Sequence, residues 1–141
     1  MSFSSLGDLN WLAVLVAALG YFVVGAAWYA PAIFGNVWTT AGGIVMPQDE
    51  RPNPVVFVTP LIGSIVAAIA LGMIAEASGT DTIGEGVVLG LVVGIGFAIG
   101  ISFVTAQFES TKPNRMLWGA VNAGYHFVGT VVAAIVIAAW Q

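Results

Sequence analysis

From Met116 to Trp140 the chain runs MLWGAVNAGYHFVGTVVAAIVIAAW, without a single Asp, Glu, Lys or Arg. At 1.5 Å of rise per residue, about 25 helical residues cover more than the roughly 30 Å of a bilayer's hydrocarbon core. A run of this kind reads as a helix crossing a membrane. Near its middle stands His126, the only histidine of the chain. A titratable group at that depth is costly unless it faces protein or water. Two uses are open to it: tying helices together through a hydrogen bond, or serving a ligand, ion or proton. Asn122, one turn earlier on the same face, is its nearest candidate partner, and Tyr125 joins them as a third member of a candidate polar intramembrane site.

Three further apolar runs precede this one, and together they predict an all-α integral membrane protein, a bundle of four transmembrane helices in one domain. The spans are about 9–28, 55–75, 85–107 and 116–140. Only 7% of the 141 residues are charged and 59% are apolar, whereas soluble domains carry about 25% charge. The length leaves no room for a separate soluble catalytic module.

The first span is bracketed by Trp11 and Trp28, about 25 Å apart along a helix, as expected of residues that prefer the membrane interfaces. Asp8 is the expected helix cap, with Asn10 in the first turn. Ala30-Pro31-Ala32 resembles a signal-peptide cleavage site, but the segment before it has no Lys or Arg and its apolar run is long, so it is read as a permanent helix. After the span, WYAPAIFGNVW predicts a short interfacial segment, with Trp28, Tyr29 and Trp38 as an aromatic belt or as a lid at the bundle's mouth. Ala41 to Pro54, with Gly42-Gly43 and PQDERPNP, predicts an exposed linker.

Pro60 is tolerated in the first turn of the second span, where Gly63, Ala67 and Gly72 offer small contact points. Glu76 closes that span and Glu85 opens the third, after Asp81 or Thr82 as cap; both glutamates are candidates for the mouth of a polar path. In the third span Gly86, Gly90 and Gly94 form one tandem GxxxG row, and Gly96 with Gly100 a second. Missing side chains let a neighbouring backbone approach, which drives association where lipid supplies no hydrophobic force. This predicts that the third span is central to the bundle or is an oligomer seam. A glycine-lined path is the sharper alternative.

Several functions are disfavoured. There is no cysteine and one histidine, so neither a metal site nor a cofactor is expected. Seven acids and three bases are scattered along the chain, which leaves no footprint for nucleic acid. Around His126 only Tyr125 and Thr130 could be nucleophiles, and neither has a base-and-orienter arrangement, so an enzyme is not expected. What remains is a small oligomeric transport or channel-type protein, or an accessory subunit of a larger membrane complex. Arg51, Lys112 and Arg115 lie in the first and third connections, which places 29–54 and 108–115 in the cytoplasm and both termini outside the cell membrane. GYFVVG at 20–25 also echoes GYHFVG at 124–129, a candidate trace of a duplicated two-helix unit.

Taken in order, NWLAVLVAALGYFVVGAAWYAPAIFGNVW, EGVVLGLVVGIGF and NAGYHFVGTVV resemble the small bacterial and archaeal membrane-protein family called domain of unknown function 1761. The shared motifs are Trp28-Tyr29 with Phe34-Gly35 and Trp38, Glu85-Gly86 with Gly90, and His126 preceded by Gly124-Tyr125. The resemblance covers nearly the whole chain. It implies a four-helix membrane protein and carries over no catalytic residue.

Overall fold

A computed structural model describes residues 2–45 and 53–140, and among these every regular element is helical. A 3-10 turn at Phe3–Gly7 leads into α1, Trp11–Trp28. Asp8 closes that turn instead of capping the span. The cap is Asn10, whose Oδ1 accepts the Ala13 amide at 3.1 Å while its Nδ2 donates to the Trp140 carbonyl at 2.8 Å. One side chain thus starts the first span and ties it to the end of the last.

Helix α1 stops where Ala30 turns extended ahead of Pro31 (ψ 141°). The chain re-enters helix through a wide π turn, Pro31–Gly35, that continues as α2, Asn36–Gly42. Ala41 and Gly42 therefore belong to a helix rather than to the expected linker, which begins only after Gly43 takes a left-handed φ of 64°. Residues 46–52 of that linker, Arg51 included, lie outside the described residues.

The second span begins with a 3-10 turn at Pro54–Phe57 and continues as α3, Val58–Ser78, ended by Gly79 at φ 64°. Thr82 and Glu85 form a reciprocal capping box that starts α4, Ile83–Val93. A π-helical stretch, Gly94–Ile99, then joins α4 to α5, Gly100–Phe108, so that the third span is continuous over Ile83–Phe108. The loop after it holds the ion pair Lys112–Glu109 at 3.5 Å. Asn114 caps the last helix, α6, Arg115–Ala138. Four helices are long and apolar enough to cross a membrane.

The centre of this bundle is α6, not the third span. Helices α1, α3 and α6 pack on one another, and among the described residues the third span packs chiefly on α6. Burial follows suit: 44% of the most apolar window of α6 is buried, against 11% for the third span. The reason is side-chain size. Gly119, Ala123, Gly129, Ala133, Ala134 and Ala138 keep α6 thin enough for neighbours to approach from several directions.

Candidate functional site

The polar side chains around Asn122 and His126 sort into two layers, beginning in the half of the bundle nearer the start of α6. In the layer nearer the membrane surface, Asn122 accepts two hydrogen bonds on Oδ1, from the Tyr29 hydroxyl at 2.7 Å and from Trp38 Nε1 at 3.2 Å. Its Nδ2 donates to the Trp118 carbonyl one turn back, at 2.9 Å. Trp28 Nε1 donates to the Val121 carbonyl at 3.0 Å, and the Asn114 amide donates to the Ala41 carbonyl at 3.0 Å. These bonds fasten α2 across the Arg115 end of α6. An amide oxygen has two acceptor positions, and both of Asn122's are filled.

The second layer lies one turn deeper. Asn122 is not the partner of His126. That partner is Tyr21 of α1, whose hydroxyl lies 2.9 Å from His126 Nδ1 and 3.2 Å from the His126 carbonyl oxygen. The same carbonyl accepts the Thr130 hydroxyl at 2.7 Å. Rings close the layer: Tyr125 stands edge-on to Tyr21 at 5.5 Å and to Tyr29 at 5.4 Å, and lies 4.5 Å from the His126 ring. Edge-to-face rings at such distances contribute about 0.5–1.5 kcal/mol beyond their burial.

Tyr21 is the site residue that sequence reasoning missed. Its signal was available, because a hydroxyl half-way along an apolar span needs a partner as much as the histidine does. The echo between GYFVVG and GYHFVG carries the same information. A Cβ on Gly129 would stand 2.5 Å from Tyr21 Cε1, and one on Gly25 would stand 2.9 Å from Tyr125 Cε2. Each tyrosine thus rests in the other segment's glycine gap.

Beside this layer is a cleft of about 480 Å³. Trp118, Asn122, His126 and Thr130 of α6 form one wall, Tyr21 closes the back, and Phe97, Ala98, Ile101, Ser102 and Thr105 of the third span form the other. His126 is exposed in it. Its lips are apolar and face outward, Phe97 at 63% and Ile101 at 62% exposure.

The remaining sequence candidates sort between contacts and open space. A Cβ on Gly86 would meet the Ala134 carbonyl oxygen at 2.9 Å, one on Gly90 the Val131 Cα at 2.6 Å, and one on Gly94 the Phe127 Cδ2 at 2.8 Å. The row continues at the same four-residue spacing through Ala98 and Ser102, which line the cleft, to Ala106 beside Gly119. In an α-helix each fourth residue runs about 40° ahead, so a row this long drifts off its partner. The wider π turns over Gly94–Ile99 hold it on α6. Gly96 and Gly100 face open space, with nothing within 4 Å. Glu85 Oε2 takes the Asp81 and Thr82 amides and the Thr82 hydroxyl at 2.8–3.1 Å, so its carboxylate is engaged in capping. Glu76 borders a shallow pocket with Gly79, Thr80 and Asp81. Both glutamates lie at the opposite end of the bundle from Trp28, Tyr29 and Trp38.

The spans, their order and the Trp28-Tyr29, Glu85-Gly86 and Gly124-Tyr125-His126 motifs coincide with one family. Its model, described as a protein of unknown function, DUF1761, matches residues 12–138. The chain belongs to that family. No curated protein and no solved structure matches this DUF1761 member. Among the described residues no group of three or more His, Cys, Asp and Glu could hold a metal ion.

Proposed function

We propose that this protein is a small transport-type membrane protein that takes a lipid-soluble ligand sideways from the bilayer into the cleft beside His126. The supporting observation is the cleft's direction. Its polar wall, Asn122, His126 and Thr130, lies midway along α6, and its lips are the apolar outside of the bundle rather than a loop at either membrane surface. A mid-membrane imidazole exposed in that way is costly against bare lipid. An occupant lowers the cost.

The test is to fill the cleft. Ala98→Trp adds an indole to its wall. Wild type and variant are purified in mild detergent from the same host, extracted with organic solvent and compared by mass spectrometry. The expected result is a lipid-soluble compound near one equivalent in wild type and lost from the variant. Identical extracts overturn the reading.

A second reading, a non-catalytic subunit of a larger assembly or a homo-oligomer, is favoured by different residues. Over 53–63 the start of the second span is exposed at every position, and Gly63, Gly96 and Gly100 have nothing within 4 Å. Native mass spectrometry from nanodiscs tests it: a fixed ratio to other chains supports the assembly, and a lone protomer excludes it. In either reading the proposed orientation puts the Lys112–Arg115 loop in the cytoplasm. A cysteine introduced at Ser110, the only one in the chain, is then shielded from an impermeant maleimide added outside cells.

A further inference from the structure

The hydrogen bonds around His126 determine what the cleft offers a ligand. The His126 carbonyl already accepts the Thr130 hydroxyl at 2.7 Å, and as a helix carbonyl it also receives the amide four residues on. Two lone pairs are then filled. The single proton of Tyr21 therefore goes to Nδ1, 2.9 Å away, and the 3.2 Å approach to the carbonyl is a secondary contact. With Nδ1 accepting, the neutral imidazole carries its proton on Nε2. Among the described residues nothing accepts from Nε2. Asn122 reinforces the pattern: its oxygen is filled by Tyr29 and Trp38, and one amide hydrogen reaches the Trp118 carbonyl, which leaves the second without a partner among the described residues. The N–H groups left over, with Trp118 Nε1 a third and buried one, are donors; the hydroxyls of Ser102, Thr105 and Thr130 can accept as well, and no Asp, Glu, Lys or Arg lines the cleft.

Three N–H donors without partners and no charged side chain suit an uncharged ligand with an acceptor oxygen. Depth narrows the class further. The ester carbonyls of phospholipids are held near the interface by their charged heads, about 15 Å from the midplane of a core roughly 30 Å thick. His126 lies midway along α6 and is out of their reach. An oxygen that reaches it belongs to a compound dissolved in the hydrocarbon itself. The aromatic lining, Tyr21, Phe97 and Trp118, favours a flat conjugated ring, and about 480 Å³ falls within the 300–1,000 Å³ usual for small-molecule sites.

We propose that the cleft binds a lipid-soluble quinone-type compound, with a ring carbonyl accepting from His126 Nε2 and the apolar tail leaving between Phe97 and Ile101 into the bilayer. This rests on the lateral-cleft reading above and adds the ligand class. Tyr21 acts as a positioning residue, holding the tautomer that points a donor outward.

The single histidine makes the test direct, because an imidazole 15N label reports on His126 alone. In phosphatidylcholine nanodiscs the ligand-free protein should show Nε2 protonated and Nδ1 bare. Decylubiquinone should shift the Nε2 signal saturably and lower the frequency of its own carbonyl stretch. Decylbenzene, which has the same tail and no carbonyl, should do neither. His126→Phe should weaken decylubiquinone binding about 2- to 10-fold, the range for one lost hydrogen bond, and remove the frequency shift. His126→Gln, whose amide can replace the donor, should bind within about twofold of wild type. Nδ1 protonation in the free protein, equal affinity for the two probes, or an unchanged Nε2 signal overturns the quinone inference and leaves the cleft reading standing. If Ala98→Trp leaves the binding of both probes unchanged, the cleft reading falls too. A disulfide-linked dimer formed by Phe97→Cys would show a second copy covering the cleft and would overturn the inference.

Discussion

Helix α6 is approached through glycines on two sides, and the two seams differ in what fills the gaps. Against α1 the gaps hold aromatic rings, Tyr21 on Gly129 and Tyr125 on Gly25, and hydrogen bonds from Tyr21 and Trp28 cross to α6. Against the third span the gaps at Gly90 and Gly86 hold backbone and small groups, Val131 Cα and the Ala134 carbonyl, and the one ring, Phe127 on Gly94, makes no hydrogen bond. Among the described residues no side-chain hydrogen bond crosses that second seam. The first seam is therefore directional, fixed in rotation and height by its donors. The second relies on van der Waals contact alone, which is weak per atom and tolerant of small shifts. The cleft lies along the second seam, where a wall can move at low cost.

Overpacking separates the two most strongly. Gly129→Leu drives a side chain into the Tyr21 ring, which is held by His126 and by Tyr125 and has nowhere to retreat. Such a substitution is expected to cost about 3 kcal/mol or more. Thermal unfolding in detergent checks it, and a Gly129→Leu protein as stable as wild type would mean that the tyrosine–glycine contact is not what fixes α1. Asn122→Leu comes next. It leaves the Tyr29 hydroxyl and Trp38 Nε1 without their acceptor, for a loss of about 2 kcal/mol, within the roughly 1–3 kcal/mol for donors left unsatisfied. The specific consequence is that α2 comes away from α6. Proteolysis near Trp38 should therefore accelerate more than global unfolding does, and equal acceleration of the two would refute the role given to Asn122.

Gly90→Ala is expected to cost less, about 1 kcal/mol, although its Cβ would come equally close to a neighbour, 2.6 Å from Val131 Cα. The third span can yield by sliding outward, and alanine recovers part of the loss through helix propensity. If Gly90→Ala proves as damaging as Gly129→Leu, the contrast between the seams is wrong.

The four spans are legible in the sequence because a membrane helix must be apolar along its length and polar at its ends, and hydropathy records both. Rotation about each axis is not recorded in the same way. In lipid the buried face need not be more apolar than the outer one: Leu12, Leu15 and Leu19 of α1 face outward, while Ala13, Ala17 and Tyr21 face in. The glycines of the third span point to close packing, but their number suggests a central helix when they serve a single neighbour. The π turns at Gly94–Ile99 leave no mark in composition, so the row was legible only as far as Gly94. For the site, spacing along one helix offers Asn122 to His126. The actual pairings, Tyr21 with His126 and Tyr29 with Asn122, cross between helices 105 and 93 residues apart.

The smallest expected effect probes a glycine pair whose missing side chains face open space. Gly96 and Gly100 lie on the outside of the third span, where among the described residues nothing beyond their own helix backbone and chain neighbours comes within 4 Å of either missing Cβ. If that face meets only lipid, the double change Gly96→Ala, Gly100→Ala removes nothing. It should leave unfolding unchanged or raise stability slightly, by up to about 1 kcal/mol per site from helix propensity alone. If the face meets another chain, added methyls push the two backbones apart. The protomer's stability in detergent then responds in the same way, while any native assembly falls to smaller species. Unfolding and native mass spectrometry of one variant thus separate two uses of a bare glycine face. An unchanged assembly would assign Gly96 and Gly100 to the lipid, leaving Gly86, Gly90 and Gly94 as the glycines of the third span that meet protein.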